Sequence, residues 1–321
     1  MHPDYLASRY AAAQRNLNQV LVQHHHAHLA ACLADYGEEG PVIGAILDGT
    51  GYGLDGHTWG GEFLVGDARG FQRAAHLQYL PLPGGEGAIH KPYRLALAYL
   101  HALLGGGRPL PPALRGLPEQ ERQAITKMVE RRLNTPLTSS AGRLFDAVSA
   151  LLGVCQETSY EAQAAIELEM VATPHPEGEG EVREAGIEPY PCKIRRLPNV
   201  QQWGRVEPFV KEAAELRLGP LFAALLDDVI AGVPVEKIAW RFHLTVAQMI
   251  VTTCERLRAQ AGLELVALSG GCFQNRLLLS LVVPRLQGGG FRTLTHRQVP
   301  CNDGGIALGQ AVVAHYALTG D

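Results

Sequence analysis

The 321-residue sequence has few cysteines, no long apolar run and little charge imbalance, and each shortage excludes something. Its six cysteines, Cys32, Cys155, Cys192, Cys254, Cys272 and Cys301, are scattered and form no C-x-x-C pair. That density argues against a disulfide framework and for reduced thiols, as in a cytoplasmic protein. No apolar stretch approaches the roughly 20 residues of a membrane span. The N-terminal MHPDYLASRYAAAQRN lacks the apolar core of a signal peptide. A net charge of −4 gives no basic surface for nucleic acid or an anionic membrane. The phosphate loop G-x-x-x-x-G-K-S/T does not occur, and no internal repeat is visible.

What remains is an ordinary globular composition, 46% hydrophobic and 19% charged. The length suffices for two domains or one large two-lobed fold. Glycine is abundant, at 36 residues, and falls in clusters. Four of the thirteen histidines, His24, His25, His26 and His28, lie within five positions in VQHHHAHLAA. On a helix, His24 and His28 share a face, with Cβ atoms roughly 6 Å apart. Two imidazoles so placed can hold one transition metal. A polar helix face or satisfied core histidines would give the same pattern.

Residues 3–17 read as a turn and a helix, and NQVLVQH (18–24) as a strand. HHAHLAACLADYG then reads as a helix ended by Gly37. VIGAIL is a buried-strand run ending at Asp48-Gly49-Thr50-Gly51, and 41–77 resembles a β-hairpin or meander. Residues 80–94 are expected as a loop, followed by the helix RLALAYLHALLGGG and a Pro-rich connector. Helices are expected at about 119–134, 140–152, 158–172, 208–216, 219–231 and 235–260. Residues 175–191 form a polar Gly/Pro-rich link, and 192–205 a surface strand or loop. LELVALSGGCFQNRLLLSLVVPRL reads strand, glycine turn, helix, and CNDGGIALGQAVVAHYAL reads loop and closing helix. Two glycine loops at strand ends, Asp48–Gly51 and Ser269-Gly270-Gly271, are suited to a nucleotide phosphate, since glycine lets backbone N–H groups approach it. Each loop alone is equally explained as a tight turn.

LDGTGYGLDGHTWGGEF, RLFDAVSALLG, SYEAQAAIELE, ALSGGCFQNRLL and CNDGGIALGQ, with QHHHAH upstream, occur in that order. Together they resemble the C-terminal part of the HypF hydrogenase-maturation carbamoyltransferases, a part similar to the tRNA threonylcarbamoyl transferases and antibiotic O-carbamoyltransferases. The resemblance implies an α/β fold of the actin-like ATPase (ASKHA) type with two lobes, the first N-terminally truncated. Residues 1–38 with the closing helix 304–321 would be the remainder of the first lobe, and 39–303 the second.

The resemblance also implies a divalent metal, zinc or iron, on His24, His28, Asp48 and Asp303. Two imidazoles and two carboxylates suit those ions better than magnesium. His25 and His26 match no ligand position. A nucleotide (ATP, AMP or carbamoyl-adenylate) would meet Gly49, Thr50 and Gly51 at its phosphate. Gly142, Arg143, Asp146 and Gly153 would lie around ribose and base, with Gly270, Gly271 and Asn275 from the second loop. The threonylcarbamoyl relatives carry acidic residues where this chain has Thr138, Ser139 and Arg143. Asp146 and Asn275 would serve equally as helix caps. Trp59, Glu62, His90 and Arg94 are candidates for holding the carbamoyl group or acceptor, with core packing as the other explanation for Trp59; Arg241 and His243 are weaker candidates.

The implied reaction moves a carbamoyl group from carbamoyl-adenylate to the C-terminal cysteine of HypE. YrdC-like and acylphosphatase-like domains, which precede this part in full-length relatives, would make the adenylate. The chain alone is expected not to make it. The alternatives are transfer to a small-molecule hydroxyl, or a non-catalytic nucleotide-binding module that docks a partner.

Overall fold

The computed structural model describes residues 6–14, 17–172 and 186–320. After the first helix, α1 (Leu6–Ala13), comes α2 (His24–Tyr36). Three strands follow as an antiparallel meander, β1 (Val42–Tyr52), β2 (Thr58–Gly66) and β3 (Gly70–Leu77), as the sequence pattern predicts. The short β4 (Leu80–Pro81) leads to α3 (Glu86–Ile89), α4 (Pro92–Leu104), α5 (Pro112–Arg115) and α6 (Glu119–Arg131). Then come β5 (Leu137–Thr138), α7 (Ala141–Leu151) and α8 (Gln163–Ala172). Two short strands, β6 (Lys193–Leu197) and β7 (Gln201–Gly204), precede β8 (Ala213–Arg217), α9 (Gly219–Ile230) and the long α10 (Val235–Ala261). The chain closes with β9 (Leu265–Ser269), α11 (Arg276–Gly288), β10 (Arg292–Leu294) and α12 (Ile306–Thr319).

All ten strands join one mixed sheet in the order β10-β9-β1-β2-β3-β8-β6, with β7 beside β3, β5 beside β2 and β4 beside β5. The pairs β1–β9 and β9–β10, which run to one edge of the sheet, are parallel. Both faces are covered, which is why VIGAIL shows no polar alternation. Ile43, Ala45 and Leu47 point into the larger core with α4, α7, α9 and α10, while Val42 and Ile46 point to the opposite face, against Leu29, Cys32 and Leu33 of α2. The α12 helix packs along α2 so closely that a Cβ at Gly309 would stand 1.8 Å from the Ala27 carbonyl. The fold is α/β, as expected, and no helix among the described residues is long and apolar enough to cross a membrane.

Three expectations fail. Residues 18–23 form no strand: Leu21 is exposed, while Val20 and Val22 pack near Val313 of α12, and no neighbouring strand supplies ladder partners. The segment 208–216, rich in helix formers, instead delivers β8, paired parallel to β3 and antiparallel to β6. Sheet pairing of a buried Ala-Ala-Glu-Leu overrides helix propensity there. The helix expected over 158–172 begins only at Gln163, because Ala162 takes a left-handed φ of 60°. The 80–94 loop and Pro-rich connector contain the short elements α3, β4 and α5. Much of the 175–191 link lies outside the described residues.

Candidate metal and nucleotide site

The α2 helix starts inside the histidine run. Gln23 caps it: the Gln23 Oε1 accepts from His26 N at 2.8 Å, and Nε2 donates to His25 Nδ1 and the Tyr52 carbonyl. The four histidines therefore diverge around the helix. His26 donates through Nε2 to the Asp67 carbonyl at 2.7 Å and packs on Phe71. His25 is fully buried between His24, His28 and Trp59, and burial pushes its pKa down to about 3, so it stays neutral. His24 and His28 turn to the first glycine loop, their ring centroids 4.9 Å apart.

Asp48 reaches them because β1 leaves its ladder there. The β1–β2 register is regular to Leu47, shifts, and resumes at Gly51. Such a bulge re-aims side chains next to functional sites. The Ser140 hydroxyl lies within reach of both freed carbonyls, Asp48 O (2.9 Å) and Gly49 O (2.5 Å), and its one proton is shared between them. Ser140 also caps α7 by accepting from Arg143 N at 3.1 Å. Only a glycine fits at position 142, where a Cβ would stand 2.8 Å from Gly49 Cα. On the other side, Gly271 N donates to Asp48 Oδ1 at 3.0 Å. Gly270, at φ 99°, allows this crossing; a Cβ there would lie 2.2 Å from Leu47 O. The two loops thus lock one carboxylate, with Oδ2 facing the imidazoles.

Asp303 arrives from the far end of the chain, in a single 3₁₀ turn (Asp303–Gly305) just before α12. His24 Nε2 lies 3.0 Å from Asp48 Oδ2 and 3.4 Å from Asp303 Oδ1. His28 Nε2 lies 3.5 and 3.4 Å from the same two oxygens. One donor atom from each of the four residues falls within 4.8 Å of every other. Burial opposes charge on His24, but hydrogen bonds to Asp303 and Asp48 carry its pKa up to about 9. His28 is raised against burial in the same way, and both carboxyls are held below their usual range by the imidazoles. The buried His28 Nε2 has no hydrogen-bond partner. That nitrogen faces two carboxylate oxygens at 3.4 and 3.5 Å without an aligned hydrogen bond to either, a geometry that suits a cation between them. The donor set, two nitrogens and two oxygens, suits zinc or iron.

The remaining candidates divide. Trp59 and Glu62 are fully buried and belong to one enclosed network around Arg73. The Arg73 guanidinium lies 3.9 Å over the Trp59 ring, donates to Glu62 Oε2 at 2.6 Å and reaches Asp55 Oδ2 at 3.1 Å. Trp59 Nε1 donates to Asp55 Oδ1, and Ser139 Oγ donates to Glu62 Oε1. Burial would raise the Glu62 carboxyl, but Arg73 holds it below its usual range. This network touches the loop through Ser139 and Ser140. Arg73 was not singled out from the sequence, although a charged residue inside an apolar strand is a usable sign, because buried charges are paired. His90 and Arg94 lie elsewhere, on the α3–α4 corner. His90 is exposed, and the Arg94 guanidinium lies against Gly84 and Met128.

Of the nucleotide candidates, Gly49, Thr50, Gly51, Gly142, Arg143, Gly270 and Gly271 surround the cluster. Asp146 is one turn along α7, 2.8 Å from Arg143 Nε, and burial raises its carboxyl despite Arg143. Gly153 ends α7 at the opposite pole, next to Ala113. Asn275 caps α11 by accepting from Leu278 N at 2.7 Å, and its amide donates to His243 Nε2 at 3.0 Å. Arg241 pairs with Asp228. Cys272 has its thiol pushed well up by burial and by the nearby Asp48 charge.

The HypF Kae1-like domain family matches residues 1–35, and the family described as the second subdomain of the carbamoyltransferase Kae1-like domain matches 44–310. The carbamoyltransferase HypF2 of Cupriavidus necator is 39% identical over 98% of this chain, which spans 39% of that relative's length. A HypF homolog of the same organism is 40% identical over 98% of the chain and is spanned for 76% of its length. A crystal structure of full-length HypF in its phosphate- and nucleotide-bound form superposes with a TM-score of 0.85 at 37% identity, over 99% of this chain and 46% of that one. The HypF structure of T. kodakarensis gives 0.80 at 28% identity, over 99% of this chain and 40% of that one. With both family models and relatives about 40% identical matching along nearly all of this chain, on a fold shared with solved HypF structures, the chain belongs to the HypF carbamoyltransferase family.

Proposed function

We propose that this chain is the carbamoyl-transferring part of a HypF-type enzyme: it binds carbamoyl-adenylate and passes the carbamoyl group to a cysteine thiolate at the C-terminus of HypE. The observation that carries this reading is the convergence of His24, His28, Asp48 and Asp303 between two glycine loops. Relatives 39% and 40% identical over nearly the whole chain are named carbamoyltransferases, and one solved HypF is described as phosphate- and nucleotide-bound.

His24 and His28 from α2, Asp48 from the β1 bulge and Asp303 from the last loop would hold one zinc or iron ion. Such an ion supplies Lewis-acid polarisation of a phosphoryl oxygen. The chain's own residues do the rest. The Asp48 carboxylate is fixed by Gly271 N and by the Ser140 clasp on its carbonyl, so it needs no reorganisation. The buried Arg73–Glu62 pair with Ser139 stiffens the wall behind that loop. The nucleophile comes from the acceptor: Cys272, with its raised thiol pKa, stays protonated at neutral pH.

The test joins metal content to transfer. Purified chain should carry about one zinc or iron per molecule, lost in His24→Ala/His28→Ala. Given preformed carbamoyl-adenylate, it should label a HypE cysteine peptide but not its serine variant, and the double mutant should lose at least 100-fold in rate. Metal without transfer to any thiol or hydroxyl acceptor would leave a nucleotide-binding module. Transfer to a small-molecule hydroxyl alone would make it an O-carbamoyltransferase.

A further inference from the structure

A phosphate needs donors, and the second glycine loop has spent its own. Gly270 N donates to Cys301 O at 2.9 Å, and Gly271 N to Asp48 Oδ1 at 3.0 Å. Asn275 is committed at both ends of its amide, to His243 and to Leu278 N. At the N-terminus of α7, beside the first loop, the Arg143 N–H is taken by the Ser140 hydroxyl. The site also gathers three carboxyls, Asp48, Asp146 and Asp303. One divalent cation and one guanidinium balance those three carboxylates, so an arriving phosphate depends on hydrogen-bond donors rather than on surplus charge.

Arg143 supplies such donors. It sits in the first turn of α7, beside the Gly142–Gly49 contact, and is more than nine-tenths buried. Its terminal nitrogen lies 3.8 Å from where a Gly49 Cβ would stand. Gly49 is only half-buried and Thr50 is exposed, so this face of the loop is open to a ligand. Asp146 Oδ2 lies 2.8 Å from Arg143 Nε, yet neither atom makes an aligned hydrogen bond. The ion pair holds the guanidinium in place without using its full donor capacity. The position also argues against a ribose or base contact shared by the whole α7 set. Gly153 lies about 16 Å from Gly142 at the helical rise of about 1.5 Å per residue, farther than a ribose extends.

We propose that Arg143 is a phosphate-binding residue: its guanidinium clamps the phosphate of a bound mononucleotide against Gly49 and Thr50, with Asp146 as its buttress. A guanidinium fork suits phosphate oxygens as a point charge does not. The inference rests on the nucleotide-binding reading above.

Calorimetric titration of the zinc-loaded chain with AMP and with adenosine separates the possibilities. Arg143→Gln should weaken AMP binding about 10- to 100-fold, the scale of a lost charge-assisted contact, and leave adenosine within about twofold. Arg143→Lys should fall between, and it decides the matter if the glutamine variant does not fold. Equal losses for AMP and adenosine would place Arg143 on the nucleoside and overturn the proposal, as would unchanged AMP affinity. Loss of the bound zinc in the variant would make Arg143 a support of the loop and also overturn it. A wild-type chain that binds zinc but neither AMP nor adenosine would sink the nucleotide reading, and this inference with it.

Discussion

His243 on α10 is buried completely, and its two nitrogens have fixed roles. Nδ1 faces the Ala239 carbonyl at 2.8 Å, so it carries the proton; Nε2 accepts from the Asn275 amide at 3.0 Å. The neutral ring therefore connects α10 to the cap of α11. Burial pushes its pKa down to about 4 from an ordinary 6.5, against the pull of the Ala239 carbonyl. The unfolded chain takes up a proton near pH 6.5 and the folded ring only near 4. Stability from this group is complete above about pH 6.5 and is lost as pH falls toward 4, on the order of 3 kcal/mol over the window. His25 and His26 are lowered too and add to the slope. In urea unfolding at pH 7 and pH 5, His243→Gln should therefore lose clearly less stability between the two pH values than the parent. Equal losses would mean that the folded His243 takes up its proton at the ordinary imidazole pKa and adds nothing to the slope.

At the scale of elements, the geometry of the candidate metal site depends on how α12 sits on α2. The α2 helix carries His24 and His28; Asp303 lies in the turn that opens α12. The two helices touch backbone to backbone at Gly309 and Ala27, where a single Cβ would arrive 1.8 Å from a carbonyl oxygen. Gly309→Ala must push α12 outward and take Asp303 with it. We expect a stability loss of about 1–3 kcal/mol from overpacking and a metal affinity roughly tenfold weaker. Urea unfolding and competition with a chromophoric chelator measure the two separately. Lower stability with unchanged metal affinity would mean that the turn, not the helix, sets Asp303.

That dependence on distant contacts marks what the sequence could and could not reveal. The long helices α4, α7, α9, α10 and α12 and the β1–β3 meander were legible because periodicity and glycine ends are local signals. The i, i+4 histidines and both aspartates were legible once the motif order was recognised. The bulge at Asp48 was not, because its satisfaction comes from Ser140, ninety-two residues away. The Arg73 network was missed for the same reason, since Glu62 and Ser139 meet only through the sheet. The 208–216 segment misled because its composition favours a helix while its neighbours β3 and β6 need a strand.

For the whole molecule, the four candidate ligands come from the second helix, the first strand and the loop before the last helix. A metal held there would tie nearly the whole chain into one closed circuit around the sheet. Binding to the folded state alone stabilises it by about 2.7 kcal/mol when free metal is a hundredfold above Kd. For a protein of this size that corresponds to a rise in Tm of roughly 5 °C. Thermal unfolding of metal-stripped protein should therefore move up by about that much on adding zinc and return with a chelator. His24→Ala/His28→Ala should show no shift. Because Asp48 and Asp303 belong to different parts of the chain, Asp303→Ala tests whether the circuit, rather than a local His24–His28–Asp48 clasp, carries the stabilisation. If the circuit does, the zinc-induced shift should shrink to a small fraction of the parent's; a shift left intact would place the stabilising effect on the first loop alone.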